Sequence, residues 1–106
     1  MEKIIISRFL ENKLSDLIEI LYKDEYFGFI EDAENYVDKI YDFIQSIPYI
    51  PHRECFNSKV GKYFVRYDNP KSNMQYFITF NKSGNRFIIE NIISPKTTEY
   101  SQIIEG

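Results

Sequence analysis

The sequence predicts an α+β fold, an antiparallel helix hairpin packed on one face of a mainly antiparallel sheet, and three observations predict it. Apolar residues recur at helical spacing through much of the first half of the chain. The second half changes to short segments dense in Tyr, Phe, Val and Ile, the residues that fit a pleated surface. Between them lies a stretch punctuated by Pro48, Pro51 and Gly61, which neither period can cross. The 106 residues suit one domain, 1–106, of order β-α-α-β-β-β, and Phe and Tyr alone supply 17% of them, which argues against disorder.

The elements follow in order. Residues 2–7 read as a short strand carrying the run Ile4-Ile5-Ile6. Ser7 is placed to cap a helix whose Leu10, Leu14, Leu17, Ile18 and Leu21 form one stripe, and which stops near 26–28. A second helix over about 30–46 repeats the pattern with Ile30, Ala33, Val37, Ile40, Tyr41 and Ile44, and Pro48 ends it. Residues 47–61 read as loop. Strands are expected at 62–68, 74–81 and 85–93. A tight Ser83-Gly84 turn between the last two sets Phe80 opposite Phe87 and Ile78 opposite Ile89, on the face that seats the helices. The other face then carries Phe77, Thr79, Arg86, Ile88 and Glu90, with Phe64 and Arg66.

Charge divides the chain. Residues 1–50 hold five basic and eleven acidic side chains, whereas residues 51–106 hold eight basic and five acidic ones, for a net charge of −3. The second half therefore suits a polyanion and the first half repels one. Cys55, the single cysteine, excludes an intrachain disulfide and a cysteine-rich zinc site, and no phosphate-binding or dinucleotide glycine pattern occurs. No apolar run approaches the roughly 20 residues that span a bilayer. The expectation is a cytoplasmic protein without cofactor, metal or membrane partner. His52, the single histidine, reads either as a general base, alone or paired with Cys55, or as a surface-loop side chain beside a small buried thiol. The carboxylates Glu31, Asp32, Glu34, Asp38 and Asp42 read as a solvated helix face. Arg66, Arg86 and Lys96 are the cations suited to holding phosphates, with Phe64 and Phe77 as aromatic contacts.

The order strand, helix hairpin, proline-bearing loop and three-stranded meander resembles the RelE/ParE superfamily of bacterial toxins. The echoes are Ile5-Ile6-Ser7 closing the first strand and Ala33-x-x-Tyr36-Val37-x-x-Ile40 in the second helix. The others are Gly61-Lys62-Tyr63-Phe64-Val65-Arg66-Tyr67, Tyr76-Phe77-Ile78-Thr79-Phe80 and Arg86-Phe87-Ile88-Ile89-Glu90-Asn91-Ile92. The resemblance implies the toxin of a type II toxin–antitoxin module, held inactive by a cognate antitoxin. RelE-like members cut messenger RNA on the ribosome without a metal, whereas ParE-like members inhibit DNA gyrase without being enzymes; a degenerate member would only bind a protein. Carried over by position, Arg66, Lys96 and Tyr100 are the catalytic candidates. Arg66 and Lys96 would meet phosphate charge, and Tyr100 would stack or transfer a proton. Phe64, Phe77 and Arg86 are the substrate-binding candidates, and Phe77 stands where many members carry an arginine.

Overall fold

A computed structural model describes residues 2–24, 30–55, 61–68 and 75–95. Strand β1 (Lys3–Ile6) leads into helix α1 (Arg8–Asp24), and helix α2 (Ile30–Gln45) follows. After a single 3-10 turn at Ile47–Tyr49 come strands β2 (Arg53–Glu54), β3 (Tyr63–Asp68), β4 (Gln75–Ser83) and β5 (Arg86–Ile93). The strands form one mixed sheet in the order β1-β5-β4-β3-β2. Among the described strands only the β1–β5 pairing is parallel. The expected first helix end near 26–28, most of the 68–73 loop and the tail beyond residue 95 lie outside the described residues.

The helices form where the apolar stripes predict. Leu10, Leu14 and Leu17 of α1 join Ala33, Val37, Ile40 and Ile44 of α2 in one buried cluster. That cluster also takes Val65, Tyr67, Ile78, Phe80, Phe87, Ile89 and Ile92 from one face of the sheet, so the two helices seal that face. Ile30, expected in the stripe, is exposed at the first position of α2.

Ser7 joins helix to sheet. Its hydroxyl accepts from the Leu10 amide at 3.1 Å, capping α1, and donates to the Glu90 carbonyl at 3.1 Å. Its own amide donates to the Ile89 carbonyl at 3.0 Å. Two consecutive carbonyls of β5 thus face the same neighbour, the mark of a bulge. The ladder agrees: Phe80 pairs with Ile89 but Thr79 pairs with Asn91, so Glu90 is the extra residue. Beyond the bulge, Asn91 Oδ1 accepts from the Ile92 amide and from Lys13 Nζ, both at 2.8 Å. Ser7→Ala removes the cap and strips the Glu90 carbonyl of this donor, so a loss of about 1–2 kcal/mol in urea unfolding is expected.

The hairpin register departs from the expectation. Ser83 pairs with Arg86, Lys82 with Phe87 and Phe80 with Ile89, so Phe80 does not oppose Phe87 and Ile78 opposes Ile92 rather than Ile89. The cause is Gly84, which at φ 61° takes the first position of a Gly84-Asn85 loop instead of the second position of a Ser83-Gly84 loop. A shift of two residues preserves the faces. Phe80 and Phe87 therefore still lie on the helix side, both buried, with ring centroids 5.9 Å apart.

The other face is less open than its sequence suggests. Thr79 is fully buried there, beneath Gly61. A Cβ on Gly61 would stand 2.9 Å from Thr79 Cβ and 3.1 Å from the Phe80 amide nitrogen, and its φ of 142° suits glycine alone. Phe77 and Ile93 are also buried and form a second small cluster with half-buried Phe64 against them.

Candidate functional site

Strand β2 is held on β3 by the pairs Arg53↔Phe64 and Glu54↔Tyr63, and by the Cys55 amide donating to the Lys62 carbonyl at 2.8 Å. Going the other way, the same register would bring His52 level with Val65 and Pro51 level with Arg66. No ladder forms there, since Pro51 has no N–H to give. The gap that results is a cleft of about 580 Å³ lined by Pro51, His52, Arg53, Phe64, Val65, Arg66, Asp68 and Phe77.

Three sequence-predicted residues meet in this cleft: Arg66, Phe64 and Phe77. Arg66 and Phe77 are ladder partners, as are Phe64 and Thr79, so Arg66, Phe64 and Phe77 project from the same face. Phe64 and Phe77 meet edge to face with centroids 5.8 Å apart. Phe77, at 6% exposure, is packed as part of the cleft wall, and Phe64 is the more accessible ring. Arg66 is not a bare cation: its Nε donates to Asp68 Oδ2 at 3.0 Å, with both side chains about half exposed (58% and 47%).

Arg86 does not join them. Its partner Ser83 lies six residues along β4 from Phe77, the partner of Arg66. That is about 20 Å at roughly 3.3 Å per residue. Lys96 and Tyr100 lie outside the described residues.

Arg53 is the residue that sequence reasoning missed. A two-residue strand has no alternation to read, so nothing in the local pattern placed its side chain beside Phe64. The detectable signal was Pro51, which marks where an edge ladder must stop.

His52 lies in the coil just before β2 and is half-buried. Its ring stands edge-on to Tyr63 and Phe80, at centroid distances of 5.1 and 5.2 Å. Nε2 lies 3.1 Å from Lys82 Nζ. Nδ1 is buried and has no hydrogen-bond partner among the described residues. Lys82 is also held over the Tyr63 ring, 4.9 Å from its centroid.

Cys55, the next residue but two, is a free, half-buried cysteine. Burial pushes its thiol up from an ordinary 9.0 to about 11, which removes the thiolate at neutral pH. Thiolate and reactivity should rise about tenfold per pH unit up to that value. Alkylation by iodoacetamide at pH 8 is therefore expected to run about ten- to a hundredfold slower in the native protein than in urea. Equal rates would show an accessible, ordinary thiol.

Among the described residues, no group of three or more His, Cys, Asp or Glu side chains stands close enough to hold a metal ion. None of the helices described is long and apolar enough to cross a membrane. Comparison of the chain with protein-family models, curated proteins and solved structures gives no match.

Proposed function

We propose that this chain is the toxin of a bacterial type II toxin–antitoxin module, a RelE/ParE-like protein that cuts messenger RNA on the ribosome. One observation carries the reading: Arg66 stands with Arg53 and a half-buried Phe64 in a cleft on the sheet face that the helices leave uncovered. Cations beside an accessible ring suit a single-stranded polyanion with bases to stack. The order strand, two helices, proline-bearing stretch and antiparallel meander supports the same reading, although the short β2, inside the expected 47–61 loop, makes the meander four strands rather than the three that the resemblance implies.

In such cleavage the ribose 2′-hydroxyl attacks the neighbouring phosphorus and the 5′-oxygen leaves. The ends formed are a cyclic 2′,3′-phosphate and a 5′-hydroxyl. Arg66 stabilises the charge that grows on the phosphoryl oxygens. Lys96 and Tyr100 are the further positions that the resemblance assigns, for a second cation and for stacking or proton transfer. Phe77 acts through the cleft wall rather than as a stacking ring, and Arg86 takes no part in this cleft. A protein of net charge −3 does not draw long RNA to itself from solution, so the ribosome brings the substrate to the cleft, where the contacts are short-range.

The test is to map RNA 5′ ends within minutes of induction and to assay gyrase supercoiling in parallel. New 5′-hydroxyl ends inside translated messages are expected, and co-expression of the cognate antitoxin should abolish them. Intact messages with inhibited supercoiling would replace this reading by gyrase inhibition. Neither effect would leave a protein-binding module.

A further inference from the structure

The ladder makes Arg53 and Arg66 diagonal neighbours. Arg53 is directly opposite Phe64, and Arg66 is two residues beyond Phe64 on β3. Both therefore project from the same face, with Cβ atoms about 7 Å apart. Both line the cleft and both are exposed. Asp68, the next residue on that face of β3, accepts from Arg66 Nε. Beyond its backbone ladder with Phe64, Arg53 makes no side-chain hydrogen bond or ion pair with any described residue. The row thus reads cation, cation, anion, and its one carboxylate serves only the farther arginine.

We propose that Arg53 and Arg66 clamp one phosphodiester of single-stranded RNA between them, and that Asp68 is a displaceable counter-ion which orients Arg66 until that phosphate arrives. The proposal rests on the ribonuclease reading above. Two planar guanidinium forks at this separation match the non-bridging oxygens of a single phosphate, and a bridging anion relieves their mutual repulsion. The Arg66–Asp68 pair is about half exposed on both sides, so solvent screens it and an incoming phosphate displaces the carboxylate readily. Phe64, between the two arginines, offers the adjoining base a ring to lie on.

The experiment titrates the full chain with the dinucleotide uridylyl-uridine and follows the arginine Nε–H signals by NMR. Both the Arg53 and Arg66 signals should shift. Arg53→Ala and Arg66→Ala should each weaken binding about tenfold, the scale of a hydrogen bond to a charged group. Arg53→Lys, which keeps the charge and loses the fork, should restore it only in part. Asp68→Asn should tighten binding, by up to about fivefold for an exposed pair. Unchanged thermal unfolding of each variant separates these effects from misfolding. An Arg53→Ala variant that binds like the parent, or an Asp68→Asn variant that binds no better, overturns the clamp whatever the protein does on ribosomes. Titrations that follow the expected pattern while translated messages stay whole overturn the ribonuclease reading and leave the clamp standing.

Discussion

Phe80→Ala is expected to lower the free energy of unfolding by about 3–5 kcal/mol, the cost of emptying a fully enclosed aromatic site. Phe80 is completely buried, and its ring touches three others: His52, Tyr63 and Phe87, with centroids at 5.2, 5.7 and 5.9 Å. It sits on β4, paired on both sides, so the backbone around it has little freedom to collapse into the void. His52 would lose one of the two rings that hold it, and the floor beneath the cleft would loosen with it. Urea unfolding followed by tyrosine fluorescence measures the change. A loss below about 1 kcal/mol would mean that the ring is not enclosed. Phe87→Ala should cost less, since Phe87 faces the exposed Lys82 across the ladder near the hairpin end.

Arg66→Ala is expected to lower message cleavage by about 10²–10³, the usual worth of one preorganised group aimed at developing charge. Its exposure means the fold should survive the change, with unfolding free energy altered by no more than about 0.5 kcal/mol. The measurement compares the yield of new RNA 5′ ends per unit of protein, with the unfolding midpoint as control. Growth arrest should fall in step. Undiminished cleavage with a folded variant would remove Arg66 from the chemistry and shift attention to Lys96 and Tyr100.

Much of the fold was legible because burial imposes a period. Leu10, Leu14 and Leu17, and then Ala33, Val37, Ile40 and Ile44, announce two helices and the faces they bury. Ser7 announces its cap by chemistry alone. What stayed hidden was set by backbone conformation rather than side-chain pattern. Whether Gly84 takes the first or second loop position changes no side chain's polarity, yet it moves the pairing by two residues. The bulge at Glu90 likewise leaves Ile92 on the helix side and Ile93 on the other, from a run of apolar residues that shows no preference between faces. The site was legible only in part for the same reason. Arg66 could be assigned to a face by the cost of burying a lone guanidinium beneath the helices, and in the strand it alternates with buried Val65 and Tyr67. Arg53 belongs to a strand too short to alternate, and the counter-ion role of Asp68 depends on a side-chain geometry that no spacing rule specifies.

Because β1 lies beside β5, the first of the described strands in the chain pairs with the last of them. The Ser7–Glu90 hydrogen bond spans 83 positions. During translation α1 and α2 can close on each other while β1 still lacks a neighbour in the ladder. Long-range pairing of this kind slows the final step of folding far more than it weakens the finished protein. Until Arg86–Ile89 leave the ribosome, Ile4, Ile5 and Ile6 form an unpaired apolar edge, open to pairing with another nascent chain. The same parallel seam that completes the sheet therefore joins two strands far apart in the chain, and leaves an apolar edge open to other chains until the second of them is in place.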